Sequence, residues 1–315
     1  MGIFFIGGWQ ARLSLLLLLA ALPSLFAIEP GKPIHCPLQS LGNRPVENRF
    51  YELSTERRKG LAREYQEFVD HWRKESAPSL VARLQRHLNS VDFNRLRSFL
   101  SDNKNQLVTR ADLAVLCGYL DFLRSEGISI DKFPLEIRVE KNGSGGKAYF
   151  LTDIEHSLVG NPLGKAIAWT HDDEWARERF LKNHSGNYLL GQTLGTSKFV
   201  TLGTFPPNLT KKEMLQKLGL VGYAKFDKPG PFYLVSVDVT KKRLSQLKPK
   251  VPVLYKWTND SGDFEMASHF DEDSIPGFTS GGLSEVVIPT FTAKAKDLAD
   301  LAKNGIRLQV HSDDP

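Results

Sequence analysis

The stretch SEVVIP, residues 284–289, decides the fold class of the C-terminal half of the chain. Its Val-Val-Ile core is β-branched and favours a half-buried strand, and the glycine pair before it, Gly281 and Gly282, predicts a turn. Glu285 therefore stands at the start of a strand, directly after a flexible turn. Such a carboxylate is either a solvated edge residue or a fixed anion that faces a cleft.

Similar β-rich runs recur through residues 131–315. Besides Glu285–Thr290, the predicted strands are Leu135–Glu140, Lys147–Thr152, Lys198–Thr204, Phe232–Val239, Val251–Trp257 and Ile306–His311. The predicted helices between them are Asp172–Lys182, Lys211–Leu218 and Ala293–Lys303. The glycine-rich run from Asn142 to Gly146 joins two strands and predicts a hairpin turn rather than a phosphate-binding loop.

Residues 28–130 have a different pattern. From Glu47 to Gly127 the apolar residues recur at helical spacing, with Thr109 as a predicted N-cap and Gly127 as a stop. The sequence thus predicts an α+β protein, in which a helical N-terminal region precedes a strand-rich mixed domain over residues 131–315. Whether these are one domain or two is left open.

Residues 1–27 have the features of a secretory signal peptide. Arg12 precedes a short leucine-rich run, and the small residue Ala27 follows it. The run is short for a membrane span, so we expect cleavage near Ala27 and a secreted or periplasmic protein without a stable membrane span. In an oxidising compartment Cys36 and Cys117 are able to pair, but a buried free thiol at Cys117 is an equal alternative.

Charge and motifs exclude several functional classes. The 315 residues carry a net charge of +5 without a basic arm or basic-aromatic repeat, so nucleic acid is not indicated as a partner. No nucleophile elbow, phosphate loop or zinc-protease motif occurs. Two groups of His and acidic residues, which begin at His171 and His269, do not match calcium-loop spacing, and we expect no metal.

The order of the C-terminal strands resembles the mono-ADP-ribosyltransferase toxin family. The resemblance covers residues 133–311, about half of the chain. In that family an early strand carries an arginine, a second strand carries an aromatic residue and hydroxyl side chains, and a later strand begins with the catalytic glutamate before branched apolar residues and proline. By this resemblance Glu285 is the catalytic glutamate and Thr201, after Phe199, is the strand hydroxyl.

The resemblance also implies NAD as the substrate. Arg138 on the first strand would hold its phosphates and Phe199 would stack on nicotinamide. Glu285 would stabilise the cationic transition state in which the nicotinamide–ribose bond breaks, and Thr201 would position it. ADP-ribose would then pass to a macromolecule, most simply a protein, or to water, as in a secreted toxin or effector.

Two departures from the family pattern leave the acceptor open. Leu202 and Gly203 replace the remaining hydroxyl residues of the second strand. Leu283 stands where arginine-modifying members carry a second acidic or amide residue. The alternatives to a transferase are a non-enzymatic secreted binding protein and a secreted hydrolase with other catalytic residues.

Overall fold

A computed structural model describes residues 52–101, 106–142, 145–171, 186–190, 195–223, 226, 229–266 and 274–312. The predicted signal peptide, Cys36 and the predicted helix Asp172–Lys182 lie outside these residues. Signal peptide, secretion and disulfide therefore stay predictions. Among the described helices, none is both long enough and apolar enough to cross a membrane.

Four helices form the N-terminal part of the described chain. They are α1 (Thr55–Arg73), α2 (Ala77–His87), α3 (Ser90–Ser101) and α4 (Arg110–Ser125). The predicted N-cap Thr109 is confirmed by a capping box, in which its Oγ1 accepts from the Asp112 N–H at 3.3 Å. In return, the Asp112 carboxylate accepts from the Thr109 N–H at 2.6 Å. Both bonds satisfy donors that the first turn of a helix leaves unpaired.

Eleven strands, three further α-helices and one short 3₁₀-helix (Ile154–His156) follow in the described residues. The strands are β1 (Glu136–Asn142), β2 (Gly145–Asp153), β3 (Ala166–His171), β4 (Asn187–Leu190), β5 (Ser197–Gly203), β6 (Phe232–Asp238), β7 (Lys250–Thr258), β8 (Phe264–Met266), β9 (Ser284–Pro289), β10 (Phe291–Lys294) and β11 (Ile306–His311). The helices are α5 (Lys211–Leu218), α6 (Lys241–Leu247) and α7 (Leu298–Lys303).

The main sheet is antiparallel between all the strand neighbours that pair. Its order is β1-β2-β7-β9-β5-β3-β6-β11, with β8 beside β7, and β4 pairs with β10 in a second small sheet. Helices in the N-terminal part and a large sheet in the C-terminal part confirm the predicted mixed α+β class. The predicted hairpin is confirmed too, because Asn142 pairs with Gly145 across its turn.

All seven predicted strands are present within two residues of their predicted ends, and helix Lys211–Leu218 is confirmed. The predicted helix Ala293–Lys303 is wrong in its first half: Phe291–Lys294 forms β10 against β4, and the helix begins only at Leu298, after the N-cap Asp297. The sequence analysis did not predict β3, β4 and β8. Strands β4 and β8 are short, and β3 is rich in alanine rather than in β-branched residues.

The main sheet has two different faces. Its helical face, defined by Ala148, Phe150 and Leu254, packs against α1–α4 in the largest core. This face continues under β5 and β9, where Val200 and Val286 share a second core with the small sheet, α6 and α7.

We call the opposite side of the main sheet the glutamate face. Its side chains are Tyr149, Phe199, Thr201, Ala168 and Glu285. Helix α5 covers part of it, and Met214 packs there in the same apolar cluster as Ala168.

Cys117 lies inside the helical layer. It is fully buried in α4, and its thiol contacts the Leu80 carbonyl oxygen at 3.7 Å. Burial raises the pKa of the Cys117 thiol to about 12, so the side chain is a neutral, small apolar group in this setting.

Candidate functional site

A tight turn places Glu285 at the start of β9. Gly282 has a φ of +89°, and a Cβ there would meet the Leu53 carbonyl oxygen at 2.3 Å. The close approach allows the Leu53 N–H to donate to the Gly282 carbonyl at 2.8 Å. The Glu285 N–H then donates to the Gly277 carbonyl at 2.7 Å. Backbone hydrogen bonds on both sides of the turn thus fix the position of Glu285 at its end.

Thr201 on β5 lies directly opposite Glu285. The two residues are register partners, so their side chains leave the same face of the sheet as cross-strand neighbours. Thr201 is buried, and its hydroxyl donates to the Ala168 carbonyl of β3 at 3.1 Å. Because that proton is committed, the Thr201 oxygen offers lone pairs to its surroundings. The register thus makes Thr201 and Glu285 cross-strand neighbours, and the role predicted for Thr201 in positioning Glu285 stays a prediction.

The Glu285 carboxyl has an unusual environment. The side chain is half-buried, and none of the described residues gives it a hydrogen bond or an ion pair. Burial raises the pKa of the Glu285 carboxyl to about 7, because low-polarity surroundings penalise the charged form. A carboxyl of this kind exchanges its proton near neutral pH, as acid–base groups at active sites do.

Phe199 belongs to an aromatic cluster next to this pair. It lies two residues before Thr201 on the same face of β5. Its ring centroid is 4.9 Å from that of Tyr255 and 5.6 Å from that of Tyr149, and Val287 of β9 completes the buried group. Phe199 itself is half-buried.

Arg138 lies away from the Glu285–Thr201 pair. It is on the edge strand β1, where its Nε and Nη2 donate to Glu136 Oε1 at 3.0 and 2.7 Å, and its Nη1 donates to the Ser197 hydroxyl. Ser197 begins β5, four residues before Thr201, or about 13 Å along an extended strand. The structure therefore brings together Glu285, Thr201 and Phe199, and it engages Arg138 elsewhere.

Sequence reasoning missed the polar residues at the other end of the glutamate face. Ser236 and Asp238 lie on the otherwise apolar strand β6, and Arg307 on β11 is the register partner of Ser236. The only sequence signal was the two polar residues at alternate positions near the end of an apolar run. Across the sheet, Ser236, Ala168, Thr201 and Glu285 are successive register partners.

One group of described side chains has the spacing of a metal site. Ligand atoms of Asp153, Glu155 and His156 lie within 4.8 Å of one another. Lys250 already donates to the Asp153 carboxylate, however, and supplies the positive charge that a cation would bring. Of the two groups predicted not to bind metal, the one at His269 lies outside the described residues, as do Asp172, Asp173 and Glu174 beside His171.

The chain matches no model of a known protein family, no curated protein and no solved structure. What Glu285 and its neighbours do must therefore be argued from their own chemistry.

Proposed function

We propose that the protein cleaves NAD at the nicotinamide–ribose bond and passes ADP-ribose to a protein or to water. The observation that carries the proposal is the Glu285 carboxyl, which has no partner among the described residues and lies directly beside Thr201. Departure of nicotinamide leaves a ribose with oxocarbenium character, and a fixed carboxylate next to it stabilises that positive charge.

Each neighbour of Glu285 has a role in this reaction. The carboxylate accepts a hydrogen bond from a ribose hydroxyl and faces the developing cation. Thr201, held by the Ala168 carbonyl, keeps the β5 side of the site at a fixed distance from Glu285. The half-buried ring of Phe199 offers a stacking surface for nicotinamide two residues away. Arg138 can hold the phosphates only if it leaves Glu136 and Ser197.

The raised pKa of Glu285 gives the proposal a pH dependence. Only the ionised carboxylate stabilises a cation, and its pKa is about 7. The rate of nicotinamide release should therefore rise with pH through about 7 and level off above it. A mature effector of this kind would act after export, once the predicted signal peptide has been removed.

The test is nicotinamide release from NAD by the purified protein and by variants. Glu285→Gln keeps the size of the side chain and removes its charge, so we expect at least a hundredfold loss of rate, as for other electrostatic stabilisers. Thr201→Val should lower the rate less than Glu285→Gln, whereas Thr201→Ser should restore most of it. Glu155→Gln, which alters an exposed glutamate, is the matched control and should leave the rate unchanged.

Two outcomes would contradict the proposal. One is release that Glu285→Gln does not affect. The other is a wild-type protein that neither releases nicotinamide nor gains thermal stability with NAD, which would favour the secreted binding protein instead.

A further inference from the structure

The two edge strands of the main sheet differ in the charge that they carry. On β1, at one edge, four residues are charged: Glu136, Arg138, Glu140 and Lys141. Charges of this kind keep an edge strand from pairing with another chain. On β11, at the other edge, Arg307 is the one Lys, Arg, Asp or Glu, and the strand has neither a proline nor a break in its register with β6. The β11 edge therefore lacks the features that block strand pairing.

The outward backbone groups of β11 are unpaired. The Asp238 N–H donates to the Gly305 carbonyl at 2.8 Å, and bonding alternates along an antiparallel pair, so the odd-numbered residues of β11 bond to β6. The N–H and C=O groups of Ile306, Leu308 and Val310 therefore point away from the sheet. In the part of the chain that the structure describes, none of these groups has a hydrogen bond.

The unpaired segment has a defined length. Beyond Val310, the Ser312 carbonyl already accepts from the Lys211 N–H at 2.9 Å, and β11 begins at Ile306. The segment 306–310 is thus centred on Leu308. A second copy of the same strand, antiparallel and related by a two-fold axis beside Leu308, matches every unpaired donor and acceptor of this segment.

The side chains of this arrangement are complementary as well. Leu308 faces Leu308 of the second copy, and Val310 faces Ile306 of the second copy, so apolar side chains meet on one face. Val310 is 54% exposed in the single chain, whereas Ile306 and Leu308 already belong to the apolar core beneath the strand. A second copy would therefore extend this core and cover Val310.

Charge and hydrogen bonding select this register over its neighbours. With the axis at Leu308, Arg307 lies beside Gln309 of the second copy. An axis at Arg307 would instead place two arginines side by side, which is unfavourable. An axis at Gln309 would place Ile306 opposite Ser312, whose carbonyl is already occupied.

We propose that the protein forms a two-fold symmetric dimer in which two β11 strands pair across Leu308 and join the main sheets of both copies. The contact consists of about six backbone hydrogen bonds, two for each pair of facing residues, and of the apolar pairs beside them. An interface of this kind is small, so we expect a dissociation constant in the micromolar range. Glu285 lies on β9, four strands away from β11, so the dimer does not rest on the proposed activity.

The first test is sedimentation equilibrium of the purified protein over a range of concentrations. The wild type should show a monomer–dimer equilibrium. Val310→Lys should raise the dissociation constant about tenfold or more, because each copy would bring a charge into the apolar pair with Ile306. Val91→Lys makes the same chemical change at a position on α3 that is 74% exposed, and this control should leave the dissociation constant unchanged.

The second test is disulfide formation, which reports the register. Leu308→Cys should oxidise to a covalent dimer, because its two copies face each other with Cα atoms about 5.5 Å apart. Val310→Cys should not, although it is more exposed, since its two copies would lie about 13 Å apart along the paired strands. Both variants carry Cys36→Ser as well, and the native Cys117 is buried.

Three results would overturn the proposal. They are a wild-type protein that stays monomeric at about 100 μM, a Val310→Lys variant with an unchanged dissociation constant, and a covalent dimer that forms as readily from Val310→Cys as from Leu308→Cys. Thermal unfolding shows whether each variant is folded. If Leu308→Cys fails to fold, the sedimentation of Val310→Lys decides the outcome.

Discussion

Lys256 and Glu285 are charged residues on the adjacent strands β7 and β9, and they face opposite sides of the sheet. On the helical face, Lys256 is 2% exposed, and its Nζ donates to the Asp112 carboxylate at 2.8 Å and to the Leu107 carbonyl at 3.1 Å. On the glutamate face, the Glu285 carboxyl has no such partner among the described residues, and its pKa is raised to about 7.

The difference separates a structural charge from a candidate functional one. Lys256 joins the sheet to the N-terminal end of α4, where Asp112 also caps the helix. Both buried charged side chains therefore have hydrogen-bond partners. Glu285 lowers the stability of the folded protein whenever it is ionised, since nothing described compensates its charge. Groups that cost stability in this way are found at sites where the chemistry requires them.

The largest effect is expected from breaking the structural pair. Lys256→Met keeps the length of the side chain but leaves the Asp112 carboxylate buried without its cation, so the free energy of unfolding should fall by about 3–5 kcal/mol. Urea unfolding, followed by tryptophan fluorescence, measures the loss. Arg73→Met, which removes an exposed partner of Asp70, should cost less than about 1 kcal/mol. A comparable loss in both variants would mean that the buried pair and the exposed pair contribute equally to the free energy of unfolding.

The next effect concerns Glu285 and depends on pH. In the folded protein its carboxyl keeps a proton up to a pH of about 7, whereas the unfolded chain releases it near 4.5. The folded protein therefore has its full stability at low pH, where the carboxyl is protonated. It loses stability as the pH rises through about 7 and the carboxyl ionises. The shift corresponds to roughly 3 kcal/mol at most.

Glu285→Gln should remove that pH dependence. The variant should equal the wild type in stability at about pH 4.5 and exceed it at about pH 8, as measured by the urea midpoint at each pH. At the higher pH it should at the same time have lost nicotinamide release. A variant that is less stable than the wild type at high pH would show that the ionised carboxylate has a partner after all.

A smaller loss is expected from overpacking the helical layer. A Cβ at Gly118 of α4 would lie 2.8 Å from the Cα and N of Val69 in α1, because the two helices approach each other closely there. Gly118→Ala should therefore destabilise the protein by about 1–3 kcal/mol, which chemical denaturation would detect. Nicotinamide release by the remaining folded protein should stay unchanged, since the substitution lies on the helical face.

The smallest effect has the opposite sign. Gly60 lies inside α1, and a Cβ there would meet no atom within 4 Å. Gly60→Ala should raise the free energy of unfolding by about 0.5–1 kcal/mol, because alanine restricts the unfolded chain and favours the helix. Together with Gly118→Ala it forms a matched pair in one helical layer. A loss of stability in Gly60→Ala would show that α1 has a neighbour outside the described residues.

Local chemistry explains which elements were predictable. The strands around Phe232–Asp238 and Ser284–Pro289 are rich in β-branched and aromatic residues, and α5 begins with the capping box of Thr210 and Glu213 that its sequence indicates. The run Ala293–Lys303 was misjudged because its alanines and lysines favour a helix. Pairing of Phe291–Lys294 with β4 outweighs that local preference.

The sequence by itself determined the mixed α+β class and most element positions, since propensity, periodicity and turn residues act over a few neighbouring positions. Glu285 and Thr201 became candidates only through the family resemblance, and their roles stay predictions. Only the tertiary structure decided that Thr201 lies opposite Glu285, while Arg138 binds Glu136 on its own strand and Ser197 at the far end of β5. It also decided that Lys256 has a buried partner 144 residues away whereas Glu285 has none among the described residues. Strand order and burial bring together residues far apart in the chain, and no local pattern encodes them.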